Sequence, residues 1–172
     1  MKKITLFVLV TGVCALFLYA GCGGGDGTTP PPPPALPTTA VVTLTSSGTL
    51  PAGKQMGATD VAINIPASVS IKATPGKASS SMVTYSGLAV VSGVAAGTNA
   101  MSLATYTPPN QVSVRVANPN GFGIGEFATV TFDIASGSEV VPAEFSVGTF
   151  TAVDLNGVPI SGLSGELAVV LK

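Results

Sequence analysis

The chain predicts an all-β domain, an antiparallel β-sandwich of jelly-roll or Greek-key type with about eight or nine short strands. Three observations predict it. Apolar and polar residues alternate with a period of two over short runs. The runs are separated by turn-forming residues, and the 172 residues include 21 glycines and 14 prolines. No sustained helical period interrupts them beyond residue 39. A closed barrel is the alternative way to satisfy the same strands.

The elements follow in order. Ala40-Val41-Val42-Thr43-Leu44-Thr45 reads as a first strand. Asp60 to Ile65 alternates, with Val61, Ile63 and Ile65 on one face. Pro66-Ala67 turns the chain, and Val69 and Ile71 again share a face. Met82 to Tyr85 and Leu88 to Val94 supply two further strands. Ala100 to Tyr106 suits either a strand or a helical turn and is closed by Pro108-Pro109-Asn110. Gln111 to Asn118 is the cleanest strand, with Val112, Val114 and Val116 inward and Ser113 and Arg115 outward. Asn118-Pro119-Asn120-Gly121 predicts a turn. Glu126 to Ile134 puts Ala128, Val130, Phe132 and Ile134 on one face. Phe145 to Val153 follows, Asp154-Leu155-Asn156-Gly157 turns, and Leu163 to Leu171 closes the domain.

The first 38 residues have a different character. Met1-Lys2-Lys3 is positively charged, and Ile4 to Tyr19 is apolar except at Thr11 and Gly12. That is the length of a signal-peptide core and short for a membrane span. Gly23 to Thr29 is a flexible polar lead, and Pro30 to Pro34 is a run of five prolines continued by Ala35-Leu36-Pro37. A polyproline II rod over these eight residues spans about 25 Å at ~3.1 Å per residue. It serves as a spacer, and recognition by a proline-binding module is the rival role. The expected organisation is residues 1–21 as export signal, 22–38 as Gly/Pro-rich tether and 39–172 as the folded domain.

Leu18-Tyr19-Ala20-Gly21-Cys22 resembles the lipobox of bacterial lipoproteins, where small residues precede a cysteine that receives a diacylglyceryl group. Tyr19 departs from the leucine usual there, and Leu18 sits one position early. The other reading, ordinary cleavage after Ala20, would place Leu18 where a small residue is preferred. The resemblance implies lipidation at Cys22, export and a membrane anchor. Gly23 in place of Asp implies delivery to an outer membrane, facing the periplasm or the surface.

Composition removes several functions. Charged residues are 9% of the chain, and the net charge is −1. Once Lys2 and Lys3 are removed, five basic residues face eight acidic ones, so nothing suggests a nucleic-acid partner. There is no histidine or tryptophan, and Cys14 falls in the signal, which leaves Cys22 alone. No disulfide, Ser-His-Asp triad or zinc site can be assembled from that set. No cofactor and no enzymatic activity are therefore expected. Asp60, Glu126, Asp133, Glu139, Glu144, Asp154 and Glu166 read mostly as solvated carboxylates, although two converging in a cleft would restore a hydrolase. Gly121 to Gly125 lacks the Lys-Ser/Thr of a phosphate loop and reads as a loop or bulge, with exposed Phe122 as a possible binding residue. Asp154 to Gly157 is a hairpin turn before it is a calcium loop, because no acidic residue completes it. Tyr85, Tyr106 and Phe122 are the aromatics expected to be exposed, and they are the candidate binding residues.

Two stretches resemble cohesin domains. One is Gly57-Ala58-Thr59-Asp60-Val61-Ala62-Ile63-Asn64-Ile65-Pro66 with Val69 beyond. The other is Gln111 to Asn118 followed by Gly121 to Ile134, and Phe150 to Gly157 resembles a late cohesin hairpin. The chain departs from the family at Ile65-Pro66, which stands where cohesins have a Tyr-Asp corner. The resemblance implies a nine-stranded jelly roll related to carbohydrate-binding modules. It also implies a non-enzymatic role in which one sheet face binds a dockerin-like protein or a carbohydrate in the cell envelope. The alternative is a structural or envelope-assembly lipoprotein with no dedicated ligand.

Overall fold

In the computed structural model, described over residues 34–71, 75–79, 82–85 and 87–172, β-strands form two antiparallel sheets. The signal segment and residues 22–33 of the tether, Cys22 among them, lie outside the described residues. The strands are β1 (Thr39–Gly48), β2 (Met56–Asn64), β3 (Val69–Ile71), β4 (Pro75–Ser79), β5 (Met82–Tyr85) and β6 (Ala89–Val91). They continue with β7 (Met101–Thr107), β8 (Gln111–Phe122), β9 (Gly125–Ile134), β10 (Ser146–Asp154) and β11 (Leu163–Leu171). One sheet has the order β11-β1-β9-β3, with β6 also on β9, and the other has the order β10-β2-β8-β7-β5-β4.

The alternating pattern decides what lies between the sheets. Val42 and Leu44 of β1, Val61 and Ile63 of β2, Val112, Val114 and Val116 of β8, and Val130 and Phe132 of β9 are fully buried. Their polar neighbours in sequence face out, as a pleat of period two requires. Burying each such side chain contributes about 1.5–3 kcal/mol. Phe127 breaks the alternation. The β1–β9 register shifts between Leu44 and Thr45, so Leu44 opposes Ala128 while Thr45 opposes Glu126. The bulge leaves Phe127 as the extra residue and turns it into the core, where its ring meets Phe150 at 6.2 Å. Phe132 meets Phe145 at the same 6.2 Å separation.

Several expectations change. The segment Ala100 to Tyr106 is a strand, because β7 completes its ladder on β8 from Met101↔Ala117 to Thr107↔Gln111. The stretch from Leu88 to Val94 is shorter as a strand, and its end forms a 3-10 turn at Gly93–Ala95. β3 and β6 lie end to end on one edge of β9, with Val69 to Ile71 opposite Ile134 to Phe132 and Ala89 to Val91 opposite Val130 to Ala128. β4 was not anticipated, since Pro75-Gly76-Lys77 carries no strand signal.

The largest correction concerns Asn118-Pro119-Asn120-Gly121, which does not reverse the chain. β8 runs through it to Phe122, and Ala58↔Ala117 is followed by Met56↔Phe122. The extra residues form a wide bulge that uses turn chemistry internally. Asn120 N–H donates to Asn118 Oδ1 at 2.9 Å, and Gly121 sits at φ +74. Buried Asn118 also donates through Nδ2 to the Ala95 carbonyl at 2.9 Å, which ties the bulge to the 3-10 turn. Phe122 is consequently swung inward beside Met56 and is only 3% exposed.

Candidate binding surface

The outer face of the larger sheet is assembled by register. Asp60 stands directly opposite Arg115, and Arg115 opposite Leu103. Ser113 stands between Ala62 and Thr105, and Thr105 opposite Thr84. On the far strand Thr151 opposes Asp60 and Val153 opposes Ala58. Pairs directly opposed in an antiparallel ladder share a face, so all these side chains project to one side. The face is mainly hydroxyl- and amide-bearing, with Asn64 and Gln111 at one end.

Its centre is a charge-assisted cluster. Arg115 donates from Nη2 at 2.5 Å and from Nε at 3.1 Å to Asp60 Oδ2, while Ser113 Oγ donates to Asp60 Oδ1 at 2.7 Å. Both carboxylate oxygens are thereby occupied, and the guanidinium is held by two hydrogen bonds although its side chain is 63% exposed. Asp60, Thr84, Leu103, Thr105, Thr107, Ser113 and Arg115 line a shallow depression of about 390 Å³. Leu103 is 44% exposed and Met101, next along the face, 62%.

Of the residues expected to bind, Tyr85 and Tyr106 are brought together and Phe122 lies apart from them. Phe122 is a correction: it is a core residue at the opposite end of β8 and cannot serve as an exposed platform. Tyr85 and Tyr106 are half-buried rather than exposed. Tyr106 opposes buried Val112, and Tyr85 opposes buried Ala104, so both turn toward the core from adjacent strands. With Ile65, Val69, Ser70 and Ile71 they line a separate slot of about 280 Å³. The Tyr106 hydroxyl donates to the Pro109 carbonyl. Phe127, Phe132, Phe145 and Phe150 pack in or against the core, so none of the domain's aromatic rings lies on an outer sheet face. No stacking platform for a sugar ring is present there.

The surroundings of Asp154 perturb its carboxyl clearly. Its side chain is 4% exposed and pairs with Lys54 Nζ at 2.5 Å. Its Oδ1 accepts from the backbone N–H of Asn156 and of Val158, each at 2.9 Å. The hydrogen bond from Lys54, then those from Val158 and Asn156, outweigh burial and hold its pKa below the ordinary carboxylate range. Asp154 thus closes the Asp154-to-Gly157 turn with its own side chain. Among the described residues no group of three or more Asp, Glu, Cys or His gathers in a way that could hold a metal ion. The Asp60–Arg115 cluster was missed as a site by sequence reasoning. Its only signal was the alternation that put Ser113 and Arg115 outward, and nothing local names their partner on β2.

No family model, no curated protein and no solved structure matches the chain.

Proposed function

We propose that the chain is an exported, lipid-anchored binding module without enzymatic activity, and that it engages a protein partner through the outer face of its larger sheet. The observation that carries this reading is the cross-strand Asp60–Arg115–Ser113 cluster, set at the centre of a hydroxyl-rich face and bordered by exposed Leu103 and Met101. Such a face offers directional hydrogen bonds and a fixed ion pair to a flat partner. The resemblance to cohesins, which dock through one sheet face, points the same way and makes a dockerin-like module the class of partner to try first. The inward turn of every domain aromatic favours a protein over a carbohydrate ligand. The anchor rests on Cys22 and on the apolar stretch before it.

Two experiments test the two halves. Cys22→Ser is expected to release the protein from membranes, and unchanged partitioning refutes the anchor. A photo-crosslinker at Thr105 is expected to capture a partner in cells, and Arg115→Glu is expected to abolish that capture. The same crosslinker at Thr131 on the outer face of the smaller sheet is expected to capture nothing. Equal capture from both faces, or none from either, refutes the docking face.

A further inference from the structure

The edges of the two sheets are built differently. β10 and β11 end their respective sheets and approach each other along one flank of the sandwich. β10 is irregular, with register shifts between Val147 and Phe150 and between Val153 and Asp154. β11 pairs with β1 over nine consecutive residues, from Leu163↔Gly48 to Leu171↔Ala40, with no shift. Sheet edges are ordinarily blunted by bulges, prolines or inward-pointing charges. β11, with the sequence LSGELAVVL, has no bulge or proline, and its one charge, Glu166, points outward. Among the described residues no strand pairs with its other edge, and the nearby turn Pro142–Glu144 makes no backbone hydrogen bond to it. The inward row Leu163, Leu167, Val169 and Leu171 packs against the core yet remains only half-buried, so apolar surface is left uncovered along this flank.

We propose that β11 pairs antiparallel with β11 of a second copy of this chain, about a two-fold axis at Val169. The charges select this register. With the axis at Val169, Glu166 of each copy stands opposite Lys172 of the other, and two ion pairs form. On the inward side Leu167 opposes the second copy's Leu171, and Val169 opposes its own counterpart. Moving the axis to Ala168 sets Glu166 against Val170, and moving it to Glu166 sets two carboxylates against each other. A segment whose opposite charges lie equally far on either side of one residue is complementary to itself, which is what an isologous two-fold interface requires. Pairing would satisfy the free edge and cover the half-buried aliphatic row. The flank is distinct from the face that carries Asp60 and Arg115, so this dimer neither needs nor obstructs the docking reading.

Sedimentation equilibrium of the full chain in a density-matched mild detergent tests the proposal. The expected species is a dimer. Glu166→Lys and Lys172→Glu are each expected to weaken it about tenfold, since each turns two attractive pairs into two repulsive ones. The double variant, Glu166→Lys with Lys172→Glu, restores the pairing with its signs exchanged and is expected to recover the wild-type dimer. Circular dichroism on each variant verifies that the strands remain, and both positions are exposed on the folded domain. A monomer at all concentrations overturns the proposal. So does a dimer indifferent to either single reversal, or a double variant no tighter than the single ones.

Discussion

The two faces of the larger sheet are made by the same strands and answer to different physics. On β8, Val112, Val114 and Val116 have no solvent exposure, while Gln111, Ser113 and Arg115, alternating with them, face out. The inner face is held by close packing, where each lost methylene is felt. The outer face is held by register alone, and its side chains can change with little effect on the fold. The difference teaches where function can reside. The inner face takes the domain's aromatic rings into or against the core, and the outer face carries the Asp60–Arg115–Ser113 cluster.

Substitutions can break that contrast or sharpen it. Phe132→Ala, in the inner layer against Phe145, is expected to cost about 3–5 kcal/mol in chemical denaturation. A loss below about 1 kcal/mol would mean that the inner layer is not a close-packed core. Asn118→Ala should cost about 1–3 kcal/mol, because the buried Ala95 carbonyl and the Asn120 N–H both lose their partner. The same denaturation curves measure it. Thr59 is an inner-face residue of the wrong chemistry: its Oγ1 is buried with no hydrogen-bond partner. Thr59→Val should therefore stabilise the domain by about 1 kcal/mol, and a destabilised variant would reveal a hidden partner for that hydroxyl.

Asp154 lies between the two cases, buried but ionised. Because its pKa is held below the usual range, the stabilisation it contributes is present above the unfolded carboxylate value of ~3.9. It is lost as pH falls through the lower folded value. Melting temperature followed from neutral pH into acid should fall less steeply in Asp154→Asn than in the wild type, starting from a lower value at neutral pH. Parallel curves would remove Asp154 from the acid response. The smallest effect belongs to the outer face. Arg115→Ala should change stability by less than about 1 kcal/mol, since Arg115 is itself largely exposed and Asp60 keeps its hydrogen bond from Ser113, while reducing partner capture from Thr105. A larger loss of stability would move Arg115 from binding to architecture.

The edges repeat the lesson within the backbone. Gly165 on β11 has no side chain because a Cβ there would lie 2.7 Å from the Phe150 ring. That close approach lets the two sheets draw together on a flank that has no further strand.

Much of the fold was legible in the residues. The alternation in β2, β8 and β9 named these strands and their inward faces, because the pleat has a period of two and the apolar set must leave water. The absence of histidine and of any cysteine within the domain excluded whole classes of chemistry without reference to structure. Tertiary structure decided the rest. Asn118 to Gly121 has the chemistry of a turn, but only the pairing of Phe122 with Met56 made it a bulge that carries β8 onward. Phe122 went to the core and Phe127 followed it against the alternation, because a bulge shifts side-chain parity and no local pattern encodes where one falls. The pairing of Asp60 with Arg115 likewise depends on a register between strands 55 residues apart, set by the whole sheet rather than by either segment.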